Sequence, residues 1–162
     1  MKKSAGLLLY RLADTTLEVF LGHPGGPFEA RKDAGVWSIP KGEIGEQEPP
    51  LEAARREFQE ETGFALEGDF VALDPIRQSS GKIVFAWAIE GNVDAGAIKS
   101  NTFPLEWPPG SGLIRHFPEL DRAGWFPLEA ARQKILKGQL PLLDQLEKLV
   151  RTTRIGGPST PC

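Results

Sequence analysis

The run of good helix formers at residues 51–62 restricts the fold most, because its apolar and its acidic side chains lie on different faces when the run is helical. Leu51, Ala54 and Phe58 recur at helical spacing, which predicts an apolar stripe that packs on a sheet. Gly63 follows at a position where a left-handed residue often ends a helix. We therefore predict one amphipathic helix that is anchored on a core.

Three glutamates, Glu57, Glu60 and Glu61, are spaced i, i+3 and i+4, so they share one face of this helix. Like charges at this spacing repel by about 0.2–0.5 kcal/mol per pair when exposed, and by more when partly buried. A divalent cation would turn this repulsion into attraction. Taken alone, the helix fits equally well a solvated acidic face with Arg55 and Arg56 as counter-ions.

The residues before and after the glutamates complete a longer pattern of fixed spacing. It contains glycines, glutamates, an arginine and two apolar positions, which are Gly42, Glu48, Arg56, Glu57, Phe58, Glu60, Glu61, Gly63 and Phe64. These nine positions fall within 23 residues, so agreement by chance is very improbable. The sequence resembles the Nudix box at every defined position. The resemblance is to MutT-like and diadenosine-polyphosphate hydrolase-like enzymes, and it covers roughly residues 3–150.

The resemblance implies an α+β protein with the Nudix fold, in which a mixed β-sheet is sandwiched between α-helices. It implies one hydrolase domain at residues 1–151, and we expect residues 152–162 to form a disordered tail. Apolar runs and turn-forming residues predict strands at residues 5–10, 17–21, 37–39, 70–73, 83–89 and 123–126.

The remaining elements are predicted from breakers and helix formers. Gly138 and Pro141 separate two helices, which we place at residues 128–136 and 142–150. Residues 91–118 contain several prolines and glycines and are predicted to be a long loop, with one helical turn near residues 94–98. Long loops inside compact domains are often functional.

By position, the resemblance implies that Glu57, Glu60 and Glu61 are carboxylate ligands of Mg²⁺, with Mn²⁺ as the alternative. The carbonyl group of Gly42 is expected to contribute to the same site. The implied reaction is the attack of water on a phosphorus atom of a diphosphate, in which the metal activates the water and neutralises the leaving oxygens.

Three further residues receive roles from the same resemblance and its surroundings. Glu48 and Arg56 are expected to brace the loop before the helix and to orient the metal-binding glutamates. Lys41, next to Gly42, is a candidate for binding the phosphates of the substrate as a point charge. A lysine in a loop is equally often a solvated surface charge.

Members of the family often use one more acidic residue from a later loop, as a base or an extra ligand. Our candidate is Glu119, because its spacing to Trp125 resembles the catalytic loop of diadenosine-polyphosphate hydrolases. The rival is Glu106, beside Trp107 in the long loop. Aromatic residues of that loop could stack on a nucleobase, or could equally fill the edge of the core.

We expect the substrate to be a nucleoside triphosphate or a related small nucleotide. A dinucleoside polyphosphate is the alternative, although the tyrosine usual in that group is missing and Tyr10 is the chain's only tyrosine. A Nudix-shaped module that binds nucleotides without turnover is a third hypothesis, but such modules typically lose box glutamates. A non-Nudix protein with an acidic docking helix would not explain the spacing of Gly42, Arg56 and Gly63.

Composition limits the partners of this 162-residue chain. The net charge is −3, so the chain lacks the basic field that binds nucleic acid polymers. Cys162 is the only cysteine, which excludes an intramolecular disulfide and suggests a cytoplasmic protein. The apolar run at residues 5–10 is too short to span a membrane, so no membrane partner is expected. We expect a monomer or a homodimer.

Overall fold

The computed structural model describes residues 2–156 and the side chains of residues 2–152. Within residues 2–156 nine strands and three α-helices follow one another: β1 Lys3–Ala13, β2 Thr16–Pro24, β3 Lys41–Glu43, α1 Pro50–Thr62, β4 Val71–Ala72, β5 Ile76–Arg77, β6 Ile83–Glu90, β7 Thr102–Glu106, β8 Ile114–Pro118, β9 Leu120–Pro127, α2 Leu128–Lys134 and α3 Leu140–Gly156.

Seven strands form one mixed sheet in the order β4-β6-β1-β2-β9, with β3 paired to β1 and β5 paired to β6. The central pair, β1 and β6, is parallel, and the other pairs are antiparallel. β7 and β8 form a separate two-stranded sheet. The predicted α+β class and mixed sheet are therefore confirmed.

β1 is buried on both faces because successive side chains of a strand point in opposite directions. Leu8 belongs to the core cluster that α2 and α3 cover. Leu7 and Leu9 belong to the other cluster, which contains Ala54 and Phe58 of α1. The sheet is therefore sandwiched between α1 on one face and the two C-terminal helices on the other.

The helix α1 forms where the sequence predicts it. Ala54 and Phe58 are fully buried against the sheet. Gly63 adopts a left-handed conformation with φ of 83°, and its N–H donates to the carbonyl of Gln59. Because a side chain is strained at this φ, glycine ends the helix at low cost. Beside this apolar stripe the three glutamates are unequally covered, with Glu60 exposed, Glu57 partly buried and Glu61 buried.

Two predicted elements are wrong. Residues 102–118 are not a loop but the hairpin of β7 and β8, in which Phe103 lies opposite Phe117. Pro104 suggested a breaker, yet a two-stranded sheet consists of edge strands, which tolerate proline. The helical turn predicted nearby exists as a 3₁₀ turn at Ala95–Ala97. Residues 37–39 form only isolated bridges, through Trp37 and Ser38, instead of a strand.

The last helix, α3, is longer at both ends than the predicted helix at residues 142–150. Pro141, which suggested a break, lies in the first turn of α3, where a missing N–H has no cost. α3 continues to Gly156, so residues 152–156 of the expected disordered tail are helical. Residues 157–162 lie outside the described residues. None of the helices among residues 2–156 combines the length and the apolar character needed to cross a bilayer.

Candidate active site

Arg56 connects the acidic face of α1 with the loop before it. Its Nε and Nη2 atoms donate to the two carboxylate oxygens of Glu48 at 2.8 and 3.0 Å. Its Nη1 atom donates to Glu57 at 2.8 Å and to Glu60 at 3.1 Å, and Nη2 also reaches the carbonyl of Glu43 at 3.1 Å. The planar guanidinium thus fixes three carboxylates relative to one another.

Glu48 completes this link on the loop side. It accepts a hydrogen bond of 2.9 Å from the backbone N–H of Gly45, so the loop closes on itself three residues before its glutamate. The hydrogen bonds from Arg56 hold the pKa of Glu48 below its ordinary value, which keeps this carboxylate charged. In turn Glu48 raises the pKa of Arg56 still further. Glu48 and Arg56 therefore form a salt bridge in which both side chains stay charged.

Gly42 lies directly beneath Glu57. The sheet positions it, since Gly42 in β3 is opposite Ala5 of β1, and α1 packs on the same strand. A Cβ atom at residue 42 would lie 2.1 Å from the carboxyl carbon and Oε1 of Glu57. Only glycine leaves room for the carboxyl group here, so the backbone of β3 and the Glu57 carboxylate form one compact unit.

Glu61 is the most buried of the three helix glutamates, with 7% of its surface exposed. Burial raises its pKa to about 8, and the negative charges of Glu57 and Glu119 add to the shift. Lys41 opposes the shift through its charge and a backbone hydrogen bond. Burying a carboxylate among other carboxylates is costly unless a cation compensates.

The other two helix glutamates are more open to solvent. The side chain of Glu57 is 13% exposed, and burial raises its pKa against the lowering effect of Arg56. The side chain of Glu60 is 41% exposed and pairs with Arg56. Of the three carboxyl groups, those of Glu57 and Glu61 are therefore partly or fully buried, whereas that of Glu60 faces solvent.

Glu119 lines a cleft of about 390 Å³ and lies close enough to Glu57 and Glu61 for their negative charges to interact. It shares the lining of this cleft with Lys41 and Glu61, and burial raises its pKa. Its backbone is held at both ends, because its N–H donates to the carbonyl of Asn101 and its carbonyl accepts from Gly25, each at 2.9 Å. The fold brings Glu119 to the box glutamates although about sixty residues separate them.

Glu106, the other candidate for the late acidic residue, makes its hydrogen bonds within the β7–β8 hairpin. Its two carboxylate oxygens accept hydrogen bonds from the backbone N–H groups of Gly110 at 3.2 Å and Gly112 at 2.9 Å. These bonds tie together the turn of the β7–β8 hairpin. Glu106 is thus engaged in the hairpin turn, and the cleft with Glu61 is lined by Glu119 instead.

Lys41 lies inside the same cleft, beside Gly42. Burial lowers its pKa, and Lys82 is near enough to lower it further, while Glu61 and Glu57 raise it. Its charge therefore faces two carboxylates and can also reach an anion in the cleft. Lys41 is thus a half-buried charge near carboxyl groups and not a fully solvated loop charge.

The residues at this cleft fit a divalent cation by their chemistry. No three acidic, histidine or cysteine side chains among residues 2–156 converge on one point at metal-ligand distances. Mg²⁺ does not require this, since it keeps several waters and takes one or two carboxylates together with substrate phosphates. Glu57 and Glu61 supply hard oxygen donors, and the space above Gly42 exists only because that residue lacks a side chain.

Other residues at the cleft carry no sequence signal that could have singled them out. Glu29 lines it from the loop after β2. His23 is fully buried nearby, with Nδ1 2.8 Å from Oδ1 of Asp121 and Nε2 2.6 Å from the carbonyl of Lys32. Two acceptors around one imidazole tie this loop to the start of β9, close to Glu119.

The comparison with protein families agrees with this geometry. The model of the NUDIX domain matches residues 3–146. The chain belongs to the Nudix family. In this Nudix protein the box therefore comprises β3, the loop braced by Arg56 and Glu48, and α1, as the family fold requires. No curated protein matches the chain.

Solved Nudix structures share the fold of the chain at low sequence identity. A C. elegans Ap4A hydrolase in a binary complex has a TM-score of 0.66 at 22% identity, with 93% of this chain and 98% of that one covered. The NUDIX domain of Shewanella oneidensis NrtR complexed with ADP ribose has a TM-score of 0.65 at 17% identity, covering 91% and 87%. A mutT/nudix family protein from Listeria innocua has a TM-score of 0.64 at 18% identity, covering 95% and 96%.

Proposed function

We propose that this Nudix protein hydrolyses a diphosphate linkage of a nucleoside triphosphate or a related nucleotide with Mg²⁺, or alternatively Mn²⁺. One observation carries the proposal. Glu61 and Glu119 line a single cleft, Glu57 lies close enough to both to interact with them electrostatically, and burial raises the pKa of each of the three. A cation and a phosphorylated substrate would supply the positive charge and the ligand oxygens that this arrangement lacks.

In this proposal Glu57 and Glu61 hold the cation from α1, and the carbonyl of Gly42 contributes from β3. Glu60, the most exposed of the three glutamates, is the third proposed carboxylate ligand from α1. When bound, the cation neutralises the phosphate oxygens and makes a bound water more acidic. Glu48 and Arg56 fix the orientation of these ligands without touching the substrate.

Glu119 is the proposed general base. Burial raises its pKa above the ordinary value, which makes the carboxylate a stronger proton acceptor. The attacking water forms a bond to phosphorus, the bond from phosphorus to the bridging oxygen breaks, and the water proton passes to the Glu119 carboxylate. The leaving phosphate takes the electron pair of the broken bond.

Lys41 is proposed to bind the phosphates. It lies in the wall of the cleft with its charge directed at the box carboxylates, so a bound triphosphate would place oxygens close to it. In contrast Tyr10 is half-buried and packs against the core cluster of α3, so it does not supply the stacking tyrosine typical of dinucleoside-polyphosphate hydrolases. This favours the triphosphate over the dinucleotide.

The test is hydrolysis of a panel of nucleoside triphosphates, dinucleoside polyphosphates and ADP-ribose with Mg²⁺ or Mn²⁺. Glu57→Gln and Glu61→Gln are the loss-of-function variants. Glu52→Gln is the matched control, because Glu52 lies on the same helix but is exposed and pairs with Arg55. Metal-dependent turnover that only the control retains supports the proposal.

Absence of turnover on every substrate would count against it. Calorimetry then tests the alternative of a nucleotide-binding module, which predicts tight nucleotide binding without a product. Turnover that survives Glu57→Gln and Glu61→Gln together would mean that the reaction takes place elsewhere.

A further inference from the structure

Two aromatic side chains from distant parts of the sequence meet on the surface near the cleft. The rings of Phe28 and Trp107 lie edge to face, with centroids 5.2 Å apart and planes inclined by 85°. Phe28 is 59% exposed, which is unusual for so large an apolar side chain. Leu113 and Ile114, each 61% exposed, continue the apolar surface along the hairpin. We call Phe28 and Trp107 the aromatic pair.

Phe28 lies on a loop that lines the candidate active site. Pro24 and Glu29, on this loop after β2, line the cleft together with Glu119. Phe28 directly precedes Glu29. The N–H of Gly25 on the same loop donates to the carbonyl of Glu119 at 2.9 Å. The loop that carries Phe28 is therefore hydrogen-bonded to the segment that carries the proposed base.

Trp107 is held in place by the hairpin. Its backbone N–H donates to the carbonyl of Leu113 at 2.9 Å, directly after the last residue pair of β7 and β8. Glu106 ties the following turn through two backbone N–H groups. At the other end of the hairpin, a Cβ at Gly26 would lie 3.1 Å from the Phe103 ring, so the hairpin packs closely on the loop of Phe28. The two rings are thus preorganised.

We propose that the aromatic pair is the binding site for the nucleobase of the substrate, with the base stacked on the exposed ring faces. This inference rests on the proposed function, and it names the part of the site that the missing stacking tyrosine would otherwise supply. A base placed at the rim leaves its phosphates to run along the wall past Glu29 towards Lys41 and Glu61. Because every base has a π-face, the site tolerates different bases.

The size of the surface favours a small planar ligand over a protein. A stable protein interface takes about 800 Å² from each partner, far more than two rings and two aliphatic side chains offer. A single base covers such a surface, and preorganised rings add little ordering cost on binding. A second copy of the chain is the other possible occupant, and the experiment includes it.

The experiment measures KM and kcat for a nucleoside triphosphate in Trp107→Ala, Trp107→Phe and Phe28→Ala. Inorganic tripolyphosphate, which has no base, serves as a competitive inhibitor. We expect KM to rise about tenfold in Trp107→Ala and Phe28→Ala with kcat within about twofold of wild type. Trp107→Phe keeps a stacking ring and retains most of the affinity. The inhibition constant of tripolyphosphate stays unchanged in every variant.

Leu113→Ala is the matched control, because it removes an equally exposed apolar side chain of the same hairpin without removing a ring. Unchanged KM in both alanine variants overturns the inference, as does a parallel loss of tripolyphosphate binding. An oligomer in wild type that dissociates in Trp107→Ala and in Leu113→Ala also overturns it, because the patch is then an interface between copies.

A second readout separates this inference from the proposed function. Adenosine, which has a base and no phosphate, is titrated while tryptophan fluorescence is recorded, with Trp107→Phe as the reference. Quenching that disappears in Trp107→Phe supports the base site even if wild type hydrolyses nothing, in which case only the proposed function fails. Absence of a Trp107-dependent change, together with normal turnover, overturns the base site and leaves the proposed function intact.

Discussion

The carboxyl group of Glu57 rests on the backbone of Gly42 so closely that any Cβ at residue 42 would collide with it. The colliding group is the far end of a flexible side chain, so Glu57 can turn away and the fold need not change. What changes is the position of a proposed metal ligand relative to the carbonyl of β3. Substitution at Gly42 is therefore expected to disturb the site without lowering the stability of the protein.

For Gly42→Ala we expect a normal melting temperature and a loss of activity and of metal affinity of about 10–100-fold. Gly138→Ala is the control, since a Cβ there meets only Gln78 at ordinary distances of 3.6–3.8 Å. Steady-state kinetics and Mn²⁺ titration measure the effect. Full activity in Gly42→Ala would show that the carboxylate of Glu57 need not lie against β3.

The burial of Glu61 predicts opposite effects on activity and stability. Folding raises the pKa of Glu61 from an ordinary 4.5 to about 8, so this carboxyl group ionises at a lower pH in the unfolded chain than in the folded protein. The folded state therefore loses stability as the pH rises between these two values. Glu61→Gln has no such penalty. We expect it to melt at least about 2 °C above wild type at pH 8 without metal, and to be inactive.

Thermal melting in a chelator across pH 4 to pH 8 checks this prediction, and the two melting curves should converge at the acidic end. Glu67→Gln is the control, because Glu67 is exposed and pairs with Arg55. A melting temperature of Glu61→Gln below that of wild type at pH 8 contradicts the prediction. Mg²⁺ should raise the melting temperature of wild type only.

The hydrogen bonds of Arg56 predict that activity requires a guanidinium group at residue 56. Lysine has three N–H donors on a single nitrogen and cannot replace the five hydrogen bonds of the guanidinium, two of which form the bidentate pair with Glu48. We expect Arg56→Lys to lose activity by about 10–100-fold, as changes behind metal ligands typically do. Arg55→Lys is the neighbouring control, and equal activity in the two variants would count against the bracing role.

The positions of the two late acids predict different variant kinetics. Glu119→Gln should lower kcat by about 10²–10⁴-fold with a small change in KM, as expected for the loss of a general base. Glu106→Gln keeps kcat, because Glu106 is bonded to Gly110 and Gly112 in the hairpin turn. Since Glu106 supports the turn after Trp107, a moderate rise of KM is expected there. A larger fall of kcat in Glu106→Gln reverses the assignment.

The contacts of His23 predict a destabilised variant. In His23→Leu the carbonyl of Lys32 and the carboxylate of Asp121 each lose a hydrogen bond to the fully buried imidazole. A hydrogen bond contributes about 0.5–1.5 kcal/mol to stability, so urea denaturation should show a loss of about 1–3 kcal/mol for the two. His116→Leu is the control, since His116 is exposed on β8. Equal stability of the two variants would contradict the prediction.

The sequence could predict the helix of the site because its signals are local. The stripe of Ala54 and Phe58 and the glycine at residue 63 act within a few turns, and both are found in the structure. The spacing of the box also predicts Glu57 and Glu61 as residues of the site without information on their surroundings. Their unequal burial depends on β3 and the loop of Glu119, which no local pattern contains.

The hairpin and the wall of the cleft could not be predicted in the same way. Pro104 and the proline and glycine residues of the turn look like breakers, and only the pairing with Phe117 and its neighbours makes a sheet of them. Phe28 lies in a segment rich in proline and glycine, and its contact with Trp107 spans almost eighty residues. Contacts at such separation depend on the whole fold, so a single sequence shows no trace of them.

The central strand also determines when the fold can form during synthesis. β1 is made before its parallel partner β6, in which Ile83 lies opposite Lys3 and Glu90 opposite Tyr10. Pairing across such a distance must overcome the entropy of closing a long chain segment before any contact is gained. A nascent chain that ends before residue 83 therefore has the leucines of its first strand only partly covered. Until β6 has left the ribosome, these leucines are available to chaperones or to other nascent chains.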